Sequence, residues 1–238
     1  MAGWLLTPGE WSAVRLSLLV ALTATAASLP LGIALGHLLA RRQFPGKALV
    51  ETAVHLPLVL PPVVTGYLLL VTFGRRGWIG RFLEEWFGVS VVFTWKGAAL
   101  ASAVMAFPLM VRATRLAFAE VDVRLEQAAR TLGAGRLDTF VTVTLPLARR
   151  GIIAGAVLGF ARSLGEFGAT VMIAGNIPGQ TQTIPLYVYS QVNAPGGIEE
   201  SARLVVVSIL IAAAALAVAE FLERRGKARR PAESGGGA

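Results

Sequence analysis

The sequence predicts an all-α membrane protein with about five transmembrane helices and one helical cytoplasmic loop. Three observations carry this reading. First, 55% of the 238 residues are hydrophobic and only 15% are charged, against about a quarter charged in soluble domains. Second, the apolar residues fall in blocks of membrane-spanning length, separated by short charged or Gly/Pro-rich segments. Third, Lys and Arg gather in alternate connections, which is a sidedness signal.

The first span is expected over 16–40, a run without Asp, Glu, Lys or Arg. Crossing the hydrocarbon takes about 20 apolar residues. Pro30 inside it is tolerated where neighbouring helices satisfy the freed carbonyl. Ala24-Thr25-Ala26 imitates a signal-peptidase site. However, no basic run precedes it and apolar sequence continues to Leu39, so an uncleaved span is favoured. The second uncharged run, 52–74, holds Pro57, Pro61 and Pro62 and predicts a kinked or broken span facing other helices. The third span is expected over 96–118, with Lys96 and Arg112 reaching opposite interfaces. The fourth is placed at 151–174, interrupted by Arg162 and Glu166, and the fifth at 203–222. The apolar piece Thr183–Val192 is about half the spanning length, so it reads as re-entrant or interfacial.

Three segments hold fifteen of the 22 Lys and Arg, and with five spans all three face the same side. They are the connection after the first span, the one between the third and fourth, and the end after the fifth. The positive-inside rule makes that side cytoplasmic, with the N-terminus outside and the C-terminus inside. The segment from Gly175 to Ala202 has no Lys or Arg and faces out. The formal charge of +8 is thereby explained by topology, without a nucleic-acid interface. The residues 223–238 form a basic, then Gly/Ser-rich, tail that is expected to be disordered and to touch anionic lipid at most.

Several chemistries are excluded. There is no cysteine, so no disulfide, thiolate site or cysteine nucleophile. His37 and His55 have no ligand-like spacing and read as packed or interfacial residues. The only aspartates, Asp122 and Asp138, lie in the cytoplasmic loop and there is no H-E-x-x-H, so no intramembrane protease site can be built. No Gly-rich nucleotide loop of the form G-x-x-x-x-G-K-[ST] is present. No catalytic, metal or cofactor-binding residue is therefore assigned. Trp78, Trp86 and Trp95 surround the second outer connection and read as an aromatic belt.

The loop over 121–146 carries the strongest local pattern. Asp122 is a plausible N-cap and Gly133 a plausible stop. Between them Leu125, Ala128, Ala129 and Leu132 recur at i, i+3, i+4 and i+7. A second patterned stretch, Leu137, Phe140, Val141 and Thr144, follows, with Pro146 expected to end it. Two short helices around a glycine make a knob with an apolar face. Pattern alone admits two roles: docking into a partner's groove or lying on the membrane surface.

These residues resemble the "EAA" motif of ABC-importer permeases, Glu-Ala-Ala, three residues, Gly, nine residues, Ile-x-Leu-Pro. Here the slots are Gln127-Ala128-Ala129, Gly133 and Val143-Thr144-Leu145-Pro146. Gln127 stands where the family has Glu, with Glu126 beside it, and Val143 stands for Ile. A second stretch resembles the molybdate permease subfamily: Arg162-Ser163-Leu164-Gly165-Glu166-Phe167-Gly168-Ala169-Thr170, then Gly175-Asn176-Ile177-Pro178-Gly179 and Thr181-Gln182-Thr183-Ile184-Pro185. Sulfate permeases share a related version, usually on longer chains. The likeness runs from about Leu16 to Leu222.

The resemblance implies a type I ABC importer permease fold, with a permease domain over 1–222 in a bacterial inner membrane. It implies a homodimer with two cytoplasmic ABC ATPase subunits, which bind the ATP, and an extracytoplasmic oxyanion-binding protein. Leu125, Glu126, Gln127, Ala128, Ala129, Leu132 and Gly133 would dock the ATPase. Arg162, Ser163 and Glu166 are candidates for an intramembrane pair or pathway, and the structural reading of the pair is favoured because a strong anion site would hinder release. Asn176, Gln180, Thr181 and Thr183 are candidate contacts for the binding protein, against a plain connecting loop. Import of molybdate by alternating access is the implied function, with tungstate and sulfate as alternatives. A channel or exchanger without an ATPase is the rival from another class, and the internal repeats such proteins often carry are not evident.

Overall fold

In the computed structural model, residues 6–194 and 197–227 are described. Among them every regular element is helical. Among the described residues four helical stretches are long and apolar enough to cross a membrane, and a bent pair makes five where its two arms count as one broken span.

Helix α1 (Pro8–Arg41) starts eight residues before the expected span. Its start is chemically specified: Thr7 accepts from the Glu10 amide, Glu10 reaches back to the Thr7 amide, and Pro8 fills the first turn. At 1.5 Å per residue its 34 residues span about 51 Å, so it outruns the hydrocarbon at one or both ends.

Helices α2 (Lys47–Val59) and α3 (Pro62–Phe73) replace the expected span at 52–74 and meet at a 112° bend. Pro61 and Pro62 supply no amide hydrogens, and the residue before a proline avoids helical geometry. Each arm is about 18–20 Å long, too short to cross alone. Glu51 of α2 pairs with Arg115 near the end of the next long helix at 3.0 Å, whereas Leu69 and Phe73 of α3 pack against the buried cluster that holds Ala98, Ala101 and Ile173. The expectation that this span faces other helices holds only for α3: Thr65 and Gly66 are buried, whereas α2 buries no residue.

Helix α4 (Trp78–Phe87) was not foreseen. It is amphipathic, with Trp78, Phe82, Trp86 and Phe87 exposed and Arg81 pairing with Glu85. Helix α5 (Trp95–Ala119) matches the third expected span within a residue at each end. Helix α6 (Val123–Thr131) is the first half of the knob.

The second half departs from expectation. Helix α7 (Arg136–Thr139) continues through a π-helical turn, Phe140–Thr144, into α8 (Leu145–Leu164). Pro146 does not end a helix; it sits in the first turn of α8. Its ring would crowd the Thr142 carbonyl four residues back, and the wider π turn before it gives that carbonyl room. The fourth span is thus 136–164, not 151–174. The chain breaks at Gly165 and resumes as α9 (Gly168–Ala174).

Helix α10 (Ile184–Val192) is the short piece expected at 183–192, so the segment from Gly175 to Gly197 is not a plain loop. Helix α11 (Gly197–Lys227) begins before the expected fifth span and runs through the first residues of the expected tail. Residues 228–238 lie outside the described residues.

Helix α5 is the centre of the bundle. On one side Ser28, Gly32 and Gly36 of α1 are buried, and Thr114 of α5 donates to the Gly32 carbonyl at 2.9 Å. A Cβ on Gly36 would stand 2.9 Å from the Arg115 amide nitrogen. On the other side Gly151, Gly155 and Gly159 of α8 lie against Ala117, Ala113 and Met110. Two small-residue stripes let three helices approach closely, the packing expected where lipid offers no hydrophobic drive between helices.

Candidate functional site

The knob sits at the end of the bundle where α1 and α5 finish. The Asp122 carboxylate accepts from the Arg124 amide at 2.9 Å and opens α6. Gly133, at φ +94°, closes it in the left-handed region, where its amide donates to the Arg130 carbonyl. Both ends fall where the sequence puts them.

The apolar face is uncovered. Leu125 is 48% exposed and Leu132 is 90% exposed. Gln127 and Ala128 are exposed, and Ala129 is half-buried. The second stretch splits between two faces. Leu137 and Val141 are exposed beside this surface, whereas Phe140 is half-buried and Thr144 buried. The π turn, with its extra residue, rotates the latter pair inward.

Glu126 does not belong to the open face. Its side chain is 10% exposed and its Oε1 accepts from Arg41 Nη2 at 2.9 Å and from Thr144 Oγ1 at 3.1 Å. Arg41 also donates to the Val121 carbonyl at 2.8 Å. One carboxylate thus ties α6 to the end of α1 and to the π turn. A layer deeper, His37 stands edge-on to Phe118 and Phe140, with centroids 5.1 and 4.9 Å away. His37 is a packed residue, and no group of three or more potential metal ligands occurs among the described residues. Arg41 reads in the sequence only as a topology charge, so its role at the knob went unseen.

Arg162 and Glu166 do meet, with Nη1 to Oε2 at 2.7 Å. They are not on one helical face: α8 ends at Leu164, and Glu166 lies in the break. Its second oxygen accepts from the Ala169 amide at 2.9 Å and caps the start of α9. Glu166 is 3% exposed, yet both its oxygens are satisfied. Ser163 is buried and its hydroxyl contacts the Ser102 carbonyl of α5 at 3.4 Å. The break is packed tightly: a Cβ on Gly168 would stand 2.8 Å from Pro62, and one on Gly66 2.6 Å from the Ala169 carbonyl. The kinks of two spans therefore lie against each other.

The segment after α9 lies at the end opposite the knob, because the Phe93 amide before α5 donates to Ile173 and the Ile184 amide to Ser17 of α1. Asn176, Gln182 and Ser190 share hydrogen bonds of 2.6–3.4 Å. Thr181 is buried and accepts from the Ile177 amide, and Thr183 is buried. Of the four candidate contacts here only Gln180 is exposed; Asn176 is half-buried. Asn176 and Thr181 hold the turn, so their first work is internal.

A sequence profile of the family described as binding-protein-dependent transport system inner membrane component matches residues 28–227. The chain is 58% identical over 225 residues to the molybdenum transport system permease protein ModB of Escherichia coli (strain K12), covering 94% of this chain and 98% of that protein. It is 36% identical over 214 residues to the sulfate transport system permease protein CysW of Synechocystis sp., covering 90% of this chain and 77% of that one. In fold it is similar to a chain of a bacterial alginate ABC transporter in complex with an alginate pentasaccharide-bound periplasmic protein. That match has a TM-score of 0.65 and 19% identity, and covers 97% of this chain and 82% of that chain.

Proposed function

Since the chain belongs to the family of binding-protein-dependent transport system inner membrane components, we propose that it is the permease subunit of an ATP-driven importer for molybdate. The observation that carries the substrate is the gap in identity. The likeness to a molybdenum permease is 58% across nearly both whole chains, against 36% and 40% to two sulfate permeases. Tungstate, with the same tetrahedral shape and charge, remains within the same reading.

In this reading two copies of the chain enclose the path, two ATPase subunits bind the knobs, and a binding protein delivers the anion at the other end. The knob end is cytoplasmic, in keeping with the Lys and Arg of its connections. The chain itself performs no hydrolysis, because no nucleotide loop is present in its sequence; ATP is held by the partner. The exposed Leu125, Ala128 and Leu132 supply the helix face that a groove on the ATPase would receive. The root of the knob supports force transfer. A push on α6 reaches α1 through Glu126 and Arg41, and α8 through Thr144. ATP-driven approach of the two ATPases would then rock the spans between inward- and outward-facing arrangements.

The test is uptake of radiolabelled molybdate into proteoliposomes that hold this chain, its ATPase and its binding protein. Uptake that requires ATP and is competed by tungstate, but not by equal sulfate, supports the reading. ATP-driven sulfate uptake without molybdate uptake would move the substrate to sulfate. Molybdate flux that persists without the ATPase would favour the channel.

A further inference from the structure

At the end opposite the knob, a cavity of about 570 Å³ opens between the start of α1, the approach to α5 and the turn before α10. Ser12, Arg15, Ser90, Thr94, Lys96 and Gln180 are its polar lining. On α1 the wall is one helical face, since Ser12, Arg15, Leu16 and Leu19 follow i, i+3, i+4 and i+7.

The chemistry of this lining is one-sided. It holds two cations and no carboxylate. Ion pairs among the described residues use Arg41, Arg75, Arg81, Arg115, Arg162 and Arg203. Arg15 and Lys96 are in none of them and have no carboxylate partner among the described residues. Cations facing a shared hollow without a counter-charge attract anions into it. The start of α5 adds to the same sign. Thr94 turns its hydroxyl to the Val91 carbonyl instead of capping the helix, so the positive end of a 25-residue helix faces the cavity wall at Trp95 and Lys96. The rim is also held in an unusual backbone state. Phe93 has φ +57°, the single non-glycine residue with positive φ among the described residues. It is pinned there by the hydrogen bond its N–H donates to the Ile173 carbonyl and by Gly175 against its ring. Such local strain persists where the surroundings over-determine it, and it clusters at functional sites.

The volume far exceeds the roughly 10–15 Å³ that one water needs by this measure, so a tetrahedral oxyanion fits with part of its hydration shell. We propose that this cavity is an entry site where Arg15 and Lys96 receive the oxyanion as the binding protein releases it, before it moves into the spans, with Ser12, Ser90 and Gln180 as hydrogen-bonding partners. The proposal rests on the importer reading above for the direction of travel. A site of exposed cations with water still present binds weakly, which conduction requires.

The test is equilibrium binding of radiolabelled molybdate, tungstate and sulfate to the full chain in nanodiscs of neutral phosphatidylcholine, without the binding protein. Saturable binding is expected for the wild-type chain. The pair Arg15→Gln and Lys96→Gln should weaken it at least about tenfold, whereas Arg15→Lys with Lys96→Arg should hold it within about threefold. Both residues are exposed, and unchanged thermal melting of each variant checks the fold. Equal binding by the wild-type and the Gln pair would overturn the site, as would no saturable binding at millimolar oxyanion. A lipid phosphate has the same chemistry. If the wild-type chain binds no free oxyanion but retains phosphatidylglycerol in a way that depends on Arg15 and Lys96, the hollow is a headgroup site and the proposal falls. Sulfate binding that depends on the two cations, without molybdate binding, would keep the site and remove molybdate as the substrate.

Discussion

Arg41 Nη2 donates both to Glu126 Oε1, at 2.9 Å, and to the Val121 carbonyl, at 2.8 Å. The last turn of α1 therefore grips α6 at its approach and at its middle. The two side chains are only 13% and 10% exposed, so this pair is not a surface ornament. Removing one partner strands the other where water reaches it poorly. Glu126→Ala is expected to cost about 3 kcal/mol and to reduce ATP-driven uptake. Glu126→Gln should cost less, because Thr144 and Arg41 keep an oxygen to donate to. A double-mutant cycle with Arg41→Met, read by thermal unfolding in detergent, gives the coupling. A coupling energy near zero would show that the two residues act independently.

Leu132 offers the cleanest probe of the knob as a docking surface. At 90% exposure it supports nothing inside this chain, so Leu132→Asp should change stability by less than about 0.5 kcal/mol. A charge placed in a partner's apolar groove should nevertheless weaken ATPase pull-down by about tenfold or more. Ala129→Glu with Gly133→Pro should abolish it. Undiminished capture by all of these variants would leave the lipid surface as the knob's partner.

Arg162 and Glu166 make an asymmetric pair, with side chains 29% and 2% exposed. Arg162→Ala leaves a carboxylate deep in the protein with one amide for company, and about 3 kcal/mol or more is expected. Glu166→Gln leaves an arginine that can still hydrate, and keeps an oxygen for the Ala169 amide; about 1–2 kcal/mol is expected. Thermal melts of the two variants should rank in that order. The reverse ranking would mean that Arg162 supports other partners and that the pair is not what holds the break.

Glycine substitutions should separate contact from flexibility. A Cβ at Gly36 meets the Thr114 hydroxyl and the Arg115 backbone, neither of which can move freely. Gly36→Ala is expected to cost about 1–3 kcal/mol in spite of alanine's better helix propensity. At Gly165 the nearest atom would be 4.0 Å away, so Gly165→Ala should fall within about 0.5 kcal/mol. Equal melts for both would argue that α1 and α5 are not in tight contact.

Much of this architecture is legible in the residues. The limits of α5 follow from an apolar run bounded by Lys96 and Arg112, whose heads can reach the interfaces, and those of α6 from Asp122 and Gly133, each of which acts locally. The failures have separate physical causes. A run of apolar residues reports depth in the membrane, not continuity of the helix. Residues 151–174 read as one span because Gly165 is too small and Glu166 too well placed, four residues after Arg162, to signal a break. Pro146 reads as a stop because a proline normally costs its helix a hydrogen bond; the π turn that accommodates it has no sequence signature. Helix α4 was missed for its ten residues, although Trp78, Phe82 and Trp86 repeat every fourth position. Glu126 was placed on the docking face because helical periodicity cannot see Arg41, 85 positions earlier in the chain.

The glycine stripes lie on the two flanks of α5. Helix α1 meets the backbone of α5 at Gly36, and the glycines of α8 meet its Ala113, Ala117 and Met110 side chains, so little side-chain volume separates the three helices. The backbone interruptions lie elsewhere, at Leu60–Pro61 and Gly165–Phe167, and there Pro62 and Gly168 bear on each other. Close glycine packing thus lies along one side of the subunit and the backbone interruptions along the other, where the breaks before α3 and α9 abut.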